Sequence, residues 1–483
     1  MSPNLECAAP TTKYPLWQLR AHAFCKATDA FLRTPGYFLL VGFLTVLAAV
    51  CSMELVTYTC FIIIAVFVAL LGSDLLPLIP LVVLSYISPS VHNNPGLNGE
   101  SVFSGENGVY ILSIAAVFAV CLIIRLIADP EMGIAFLKRK RSLLSGMVIL
   151  GVGYMLAGAF SGYYTASGWR NALFGFVQFI SIFLCYFLFT GGIRWEKVPK
   201  NYLAWCGICV GLVVLAQLGY IYLVNHVVVD GKIDRGRIFS GWGTYNNIGA
   251  LLVMTIPFAF QLACRKKGAW VFEIVALLLL GGVVMTCSRG SLLAAAVIYV
   301  VSCVLMFYKA LRSHTFRLVH TIVAIVVIPT VILFRHELMT LFDALLQRGL
   351  DPSGRDVIYK EGFKQFLRFP VFGGSFFPVD FIPYGFSSVA EFTAIFPPRW
   401  HNTVVQLLAT CGITGLLAYG FHRYQTIRMM LKTPTTGKLF LCLSLMALLG
   451  TSLVDCHFFN IGPTLFYSIA LAFAEKADTQ VNE

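Results

Sequence analysis

His401 stands where a long polar stretch gives way to an apolar run, in Arg399-Trp400-His401-Asn402 followed by Thr403-Val404-Val405-Gln406-Leu407-Leu408. An imidazole titrates near neutral pH and can take a proton from a sugar hydroxyl, so His401 is the sharpest candidate base, with Asn402 beside it as a substrate contact. The bland alternative is an interfacial histidine that meets headgroups or caps a helix. Two groups of arginines could grip an anion. Arg235-Gly236-Arg237-Ile238-Phe239-Ser240-Gly241 precedes one apolar run, and Thr286-Cys287-Ser288-Arg289-Gly290-Ser291 lies between two others. A charge so close to hydrocarbon is costly and usually faces a protein interior or a water-filled cavity. A guanidinium holds phosphate through two parallel N–H bonds without losing its charge. Gly241, Gly290 and Ser288 would let backbone N–H groups approach a bulky anion, and a helix opening at Gly290 would turn its positive end to the same place. The alternative for each arginine is contact with lipid headgroups.

Between these groups, Asp351-Pro352-Ser353-Gly354 reads as a helix start with Ser353 as cap and Arg355 just inside. The segment to Phe369 predicts a surface helix, Ile358, Phe363, Phe366 and Leu367 down and Lys360, Lys364 and Arg368 up. Pro370 ends it, and Gly373-Gly374 permits a tight turn back. His457, near Asp455, is the second candidate base, with a structural turn as its plainer reading. The acidic residues on this side are scattered without the spacing of a diphosphate-bound Mg²⁺ site, so no metal or cofactor is expected and arginines would neutralise charge.

The elements that must position these residues are membrane helices. Of the 483 residues, 58% are hydrophobic and only 12% charged, half the charge of a soluble domain. The expected fold is an all-α polytopic membrane protein of about 12–14 transmembrane helices with one large extracytoplasmic loop containing short helices. The apolar segments are 36–53, 55–72, 75–91, 108–128, 143–160, 169–190, 201–224, 247–264, 268–286, 290–308, 316–334, 401–421, 437–454 and 458–474. The domains follow: a cytoplasmic segment 1–34, helices with short loops 35–334, the loop 335–400, helices 401–474 and a tail 475–483. With the N-terminus inside, 22 basic residues, Arg423, Lys432 and Lys438 among them, fall in cytoplasmic segments and 12 outside, Arg125 being the remaining one. Both termini are then cytoplasmic and the candidate residues face outward. That asymmetry accounts for the net charge of +12 without nucleic acid. The 14 cysteines mostly fall in or beside apolar runs, where they read as small hydrophobes.

Taken in order, Arg237 with Gly241, Thr286 to Gly290, Ser353-Gly354-Arg355, Pro370 to Gly374, and His401-Asn402 followed by Gly412 and Gly415 resemble the O-antigen ligase and polymerase family of membrane glycosyltransferases. The resemblance covers roughly residues 235–421. It implies metal-free, inverting transfer of a glycan from an undecaprenyl-diphosphate carrier to an acceptor hydroxyl, on a sugar or a lipid core, outside the cytoplasm. It makes Arg237, Arg289 and His401 the catalytic set: the arginines bind the diphosphate and stabilise leaving-group charge, and His401 activates the acceptor. Arg235, Gly241, Ser288, Gly290, Arg355 and Asn402 are substrate contacts. Other polysaccharide-assembly proteins would be partners, with membrane lipid as surroundings. Where relatives carry an Asn-Pro-Asn-like signature, this chain has Tyr245-Asn246-Asn247, a departure that touches the asparagines and not the arginines. The reading from a different class is a transporter or flippase of lipid-linked sugars. Such carriers place ionisable residues at mid-membrane depth, whereas Glu54, Asp74, Arg125 and Glu273 fall near expected helix ends.

Overall fold

The computed structural model describes residues 16–87, 105–128, 130–162, 168–224, 226–229, 232–240, 243–264, 271–310, 332–333, 335, 355–374, 400–432 and 435–476. Its helices are α1 (Leu16–Phe31), α2 (Pro35–Cys51), α3 (Glu54–Leu71), α4 (Leu78–Ile87), α5 (Gly105–Ala128), α6 (Pro130–Lys138), α7 (Leu144–Ala159) and α8 (Gly168–Gly192). There follow α9 (Tyr202–Val224), α10 (Tyr245–Ala263), α11 (Val271–Met285), α12 (Arg289–Ala310), α13 (Arg355–Arg368), α14 (Thr403–Met430), α15 (Thr436–Ser452) and α16 (Ile461–Lys476). The chain is an all-α polytopic membrane protein. Two antiparallel ladders of two residues a side, β1 (Val228–Val229) with β2 (Lys232–Ile233) and β3 (Phe239–Ser240) with β4 (Gly243–Thr244), fold the segment before α10.

Helices occupy the apolar segments expected from sequence, except 316–334, which lies outside the described residues apart from 332–333. Length then sorts them. Among the described residues, α9, α10, α12 and α14 are long and apolar enough to cross a membrane, and α1 with α2 forms a pair bent by 76° that would pass together. Others, such as the ten-residue α4, are apolar but short. The segment 1–34, expected as a cytoplasmic segment, carries α1, and Pro35 opens α2 after the bend.

The core gathers around α10, which packs against α9, α11, α12, α15 and α16. Burial covers 83% of its apolar stretch, against 28% for α12, so α10 is the central pillar and α12 an outer wall. Gly249 lets the two approach, since a Cβ there would meet Ser291 Oγ and Thr286 Oγ1.

Two placements differ from the sequence reading. Arg423, expected in a connector, lies inside α14, which runs on to Met430. It is enclosed by the rings of Tyr419, Phe458 and Tyr467, at 4.6, 4.4 and 4.9 Å, and its Nη1 donates to Tyr467 Oη. A charge alone does not stop a helix; here the stop comes where Thr433 and Pro434 follow. The second difference is in α13. The residues it buries against the protein are Gly362 and Gln365, which the sequence reading did not single out, while Phe363 and Leu367 lie on its protein-free side. A glycine gives the closest approach, and Gly362 sits against Trp400 and Val405.

α13 is tied down through a break in α14. Gly412 has φ 60° and ψ −157°, a backbone region essentially reserved for glycine. The break frees N–H groups that the loop satisfies: Ile413 N donates to Pro370 O at 2.8 Å and Thr414 N to Val371 O at 3.1 Å. In return Ala409 O accepts from Gly374 N at 2.8 Å and from Gln365 Nε2 at 3.0 Å. Gly412→Ala should therefore undock the loop, since its Cβ would lie 2.5 Å from Val371 O. The expected result is faster proteolysis within residues 355–374 and a stability loss of about 1–3 kcal/mol; an unchanged cleavage pattern would refute the coupling.

Candidate functional site

Three chain segments far apart in sequence meet at the start of α10. Arg289 opens α12 after a turn in which Cys287 takes φ 52°. Ser288 caps that helix, its carbonyl accepting from Leu292 N at 2.9 Å. The Ser288 hydroxyl donates to Asn246 Oδ1 at 2.8 Å and lies 3.0 Å from Ser291 Oγ. Asn246 Nδ2 in turn donates to Asp455 Oδ2 at 2.6 Å. Asp455 Oδ1 takes the backbone N–H of Cys456 at 2.7 Å and faces His401 Nδ1 at 3.3 Å. A carboxylate only accepts, so a neutral His401 in this contact would carry its proton on Nδ1 and present Nε2 as the basic nitrogen.

His401 is held from both sides. Its φ of 49° is uncommon for a residue with a side chain, and Tyr359 Oη donates to its carbonyl at 3.0 Å. Immediately after it, Asn402 caps α14: its Oδ1 accepts from Val404 N and Val405 N, and its Nδ2 donates to Leu453 O at 2.7 Å. Trp400, 2% exposed, anchors the other side against Val405, Ala409, Ile358 and Tyr359.

A cavity of about 200 Å³ lies over this network. Of the expected residues it brings together Arg235, Ser288, Arg289, Gly290, Arg355 and His401. Arg235 stacks on Tyr245, 4.7 Å from the ring centre. Arg237 is not among the lining residues; it is exposed, pairs with Asp234 Oδ2 at 3.1 Å and donates to His226 O at 3.2 Å. The two arginines belong to one 3₁₀ turn, capped by Asp234 accepting from Gly236 N, and residues two apart on such a turn point to different sides. Asn402 is turned to capping and does not line the cavity. Gly241, Ser353 and Gly354 lie outside the described residues.

Sequence reading gave no site role to Asn246, Asn247 or Asp455, and ranked His457 only as the second candidate base. Asn246 links Ser288 to Asp455, and Asn247 accepts from Asn460 Nδ2 at 2.6 Å while lying 3.2 Å from His457 Nδ1. Asp455 and His457 line the cavity. The adjacent pair Asn246-Asn247, and Asp455 within two residues of His457, were the visible signals; which faced inward was not.

Residues 274–420 match the O-antigen ligase family. No curated protein matches the chain. The match spans 147 of 483 residues and contains Ser288, Arg289, Gly290, Arg355 and His401. Arg235, Asn246, Asp455 and His457 lie outside it and join the matched residues through folding. The match supports a function of the polysaccharide ligase or polymerase type in a multi-pass membrane protein.

Electrostatics in the cavity are one-sided. Arg235, Arg289 and Arg355 face Asp455, the one carboxylate among the described lining residues. Burial would raise the Asp455 carboxyl, but the hydrogen bond from His401, the charges of His457 and His401, and the Cys456 N–H together hold it well below the usual carboxylate range. A carboxyl lowered in this way stabilises the fold above the unfolded value of about 3.9, and that stabilisation is lost as acid protonates it. Asp455→Asn should lower the thermal midpoint at pH 7, and the gap from wild type should shrink as pH falls below about 4. Melting curves from pH 7 to pH 3 check this; a gap independent of pH would contradict it.

Proposed function

We propose that the chain transfers or polymerises glycan from an undecaprenyl-diphosphate-linked donor onto an acceptor hydroxyl, as a surface polysaccharide polymerase or ligase working at the outer face of the cytoplasmic membrane. The observation that carries this reading is the convergence of three arginines and the Asp455-oriented His401 on one cavity. The arginines suit a diphosphate, which offers paired oxygens to each guanidinium fork. Charge grows on that group as the bond to the sugar breaks, so fixed cations favour the transition state over the ground state.

In the reaction we propose, His401 Nε2 takes the proton of the acceptor hydroxyl while its oxygen attacks the anomeric carbon. The bond between that carbon and the diphosphate oxygen breaks, and the electron pair leaves with the diphosphate among Arg289, Arg235 and Arg355. Attack opposite the leaving group inverts the anomeric centre. Asp455 keeps the imidazole in the tautomer this needs and balances the imidazolium that forms. Arg237 contributes to the potential at the rim. The positive-inside distribution supports an outward site, and the arginines serve the role a divalent metal would otherwise fill.

His401→Ala should lower transfer by about 10²–10⁴-fold while purified protein still binds the diphosphate-linked donor. Arg289→Lys should lose about as much activity as Arg289→Ala, on the order of 10²–10³-fold, because an ammonium does not reproduce the fork; full activity in the lysine variant would remove the bidentate role. Activity should survive EDTA, and loss that Mg²⁺ restores would overturn the metal-free step. In cells lacking the gene, single lipid-linked repeat units indicate a polymerase, and long chains left on the carrier indicate a ligase. Lipid-linked units held on the cytoplasmic face would sink the transferase reading in favour of transport.

A further inference from the structure

The molecule has a second cavity, of about 220 Å³, at the other end of the helices that build the first. Tyr245 and Asn246 at the start of α10 line the His401 cavity, and Phe258 and Gln261 near its end line the second. The same inversion holds for α15, which gives Thr451 to the first cavity and Gly437, Lys438 and Leu441 to the second. Sixteen residues of helix from Tyr245 to Gln261 separate the two by roughly 24 Å, close to the hydrocarbon thickness of a bilayer. The two cavities therefore belong to opposite membrane faces.

The second cavity is amphipathic. Phe258, Leu441 and Phe473 supply apolar walls. Its charged lining residues are Lys200 and Lys438, and none of its described lining residues is acidic. Lys438 is only 2% exposed, which places a cation inside the bundle wall rather than in solvent. Its Nζ donates to Lys432 O just beyond the end of α14, fixing the side chain's path. Asn201, at φ 60°, accepts from Gln261 Nε2 at 2.9 Å and closes the polar rim. The N-terminus of α15 adds positive potential beside Lys438.

From this we infer that the cavity binds the headgroup of an anionic phospholipid in the leaflet opposite the His401 site, with its phosphate between Lys200 and Lys438 and its upper acyl chain along Phe258, Leu441 and Phe473. A basic pocket between transmembrane helices selects anionic headgroups by charge, and its apolar floor selects a lipid over a free anion. Occupancy would brace α10 and α15 at the ends remote from the arginine cavity. The inference does not depend on the glycan-transfer reading.

The test is native mass spectrometry of the purified full chain titrated with phosphatidylglycerol, phosphatidylcholine or inorganic phosphate. Wild type is expected to retain one phosphatidylglycerol in preference to phosphatidylcholine, without competition from inorganic phosphate. Lys200→Gln, at an exposed position, should weaken that binding about fivefold, the effect of one lysine beside an anionic lipid. Lys438→Met should do the same, and Lys200→Gln carries the test should the methionine variant fail to fold. Equal binding of phosphatidylcholine, or unchanged phosphatidylglycerol binding in Lys200→Gln, would overturn the proposal. Competition by inorganic phosphate would replace it with a free-phosphate site.

Discussion

One ionised carboxylate joins the parts of the chain that the site requires. Asp455, enclosed between α15 and α16, takes hydrogen bonds from Asn246 on α10 and from the Cys456 backbone, and faces His401 at the head of α14. A buried carboxylate is tolerated only when several donors surround it. Each donor is therefore held in place by the same charge it satisfies. The Ser288 hydroxyl extends the chain of bonds to the turn that presents Arg289. The spacing between the candidate base and the nearest arginine turn is thus set by one continuous polar network under the cavity.

That network would be open to water without the helix above it. α13 does not cover the site by apolar packing alone, since much of its hydrophobic surface is exposed. It is held because α14 breaks at Gly412 and offers backbone groups to the segment 370–374. Irregular backbone at membrane depth survives only where its polar groups find partners within the protein. The broken helix and the returning loop answer each other's unsatisfied groups, and Arg355 at the head of α13 is carried to the cavity as a result.

Below the site lies a cation that no surface role explains. Arg423 stands among Tyr419, Phe458 and Tyr467, with Phe458 next in sequence to the cavity residue His457. Ring faces attract a guanidinium more strongly when water is excluded. The turn bearing His457 is accordingly gripped from beneath by aromatic contacts with Arg423 and from the side by Asn247 and Asn460.

Composition and hydropathy by themselves determined the all-helical membrane class and the positions of the apolar helices, because lipid forces backbone hydrogen bonds to close within each segment. Local chemistry also singled out Arg289 and His401, since ionisable residues at the ends of apolar runs stand out against so few, and the family resemblance added Arg355. Tertiary structure alone decided that Arg235 and not Arg237 lines the cavity, that Asn402 caps a helix, and that Asp455 and the two asparagines complete the network. It also put Arg423 inside the bundle. These choices rest on which side of a turn faces inward and on pairings between distant segments, such as the 209 residues that separate Asn246 from Asp455. Periodicity reports the face of a regular helix; it carries no signal for a three-residue turn or for a partner contributed by a distant segment.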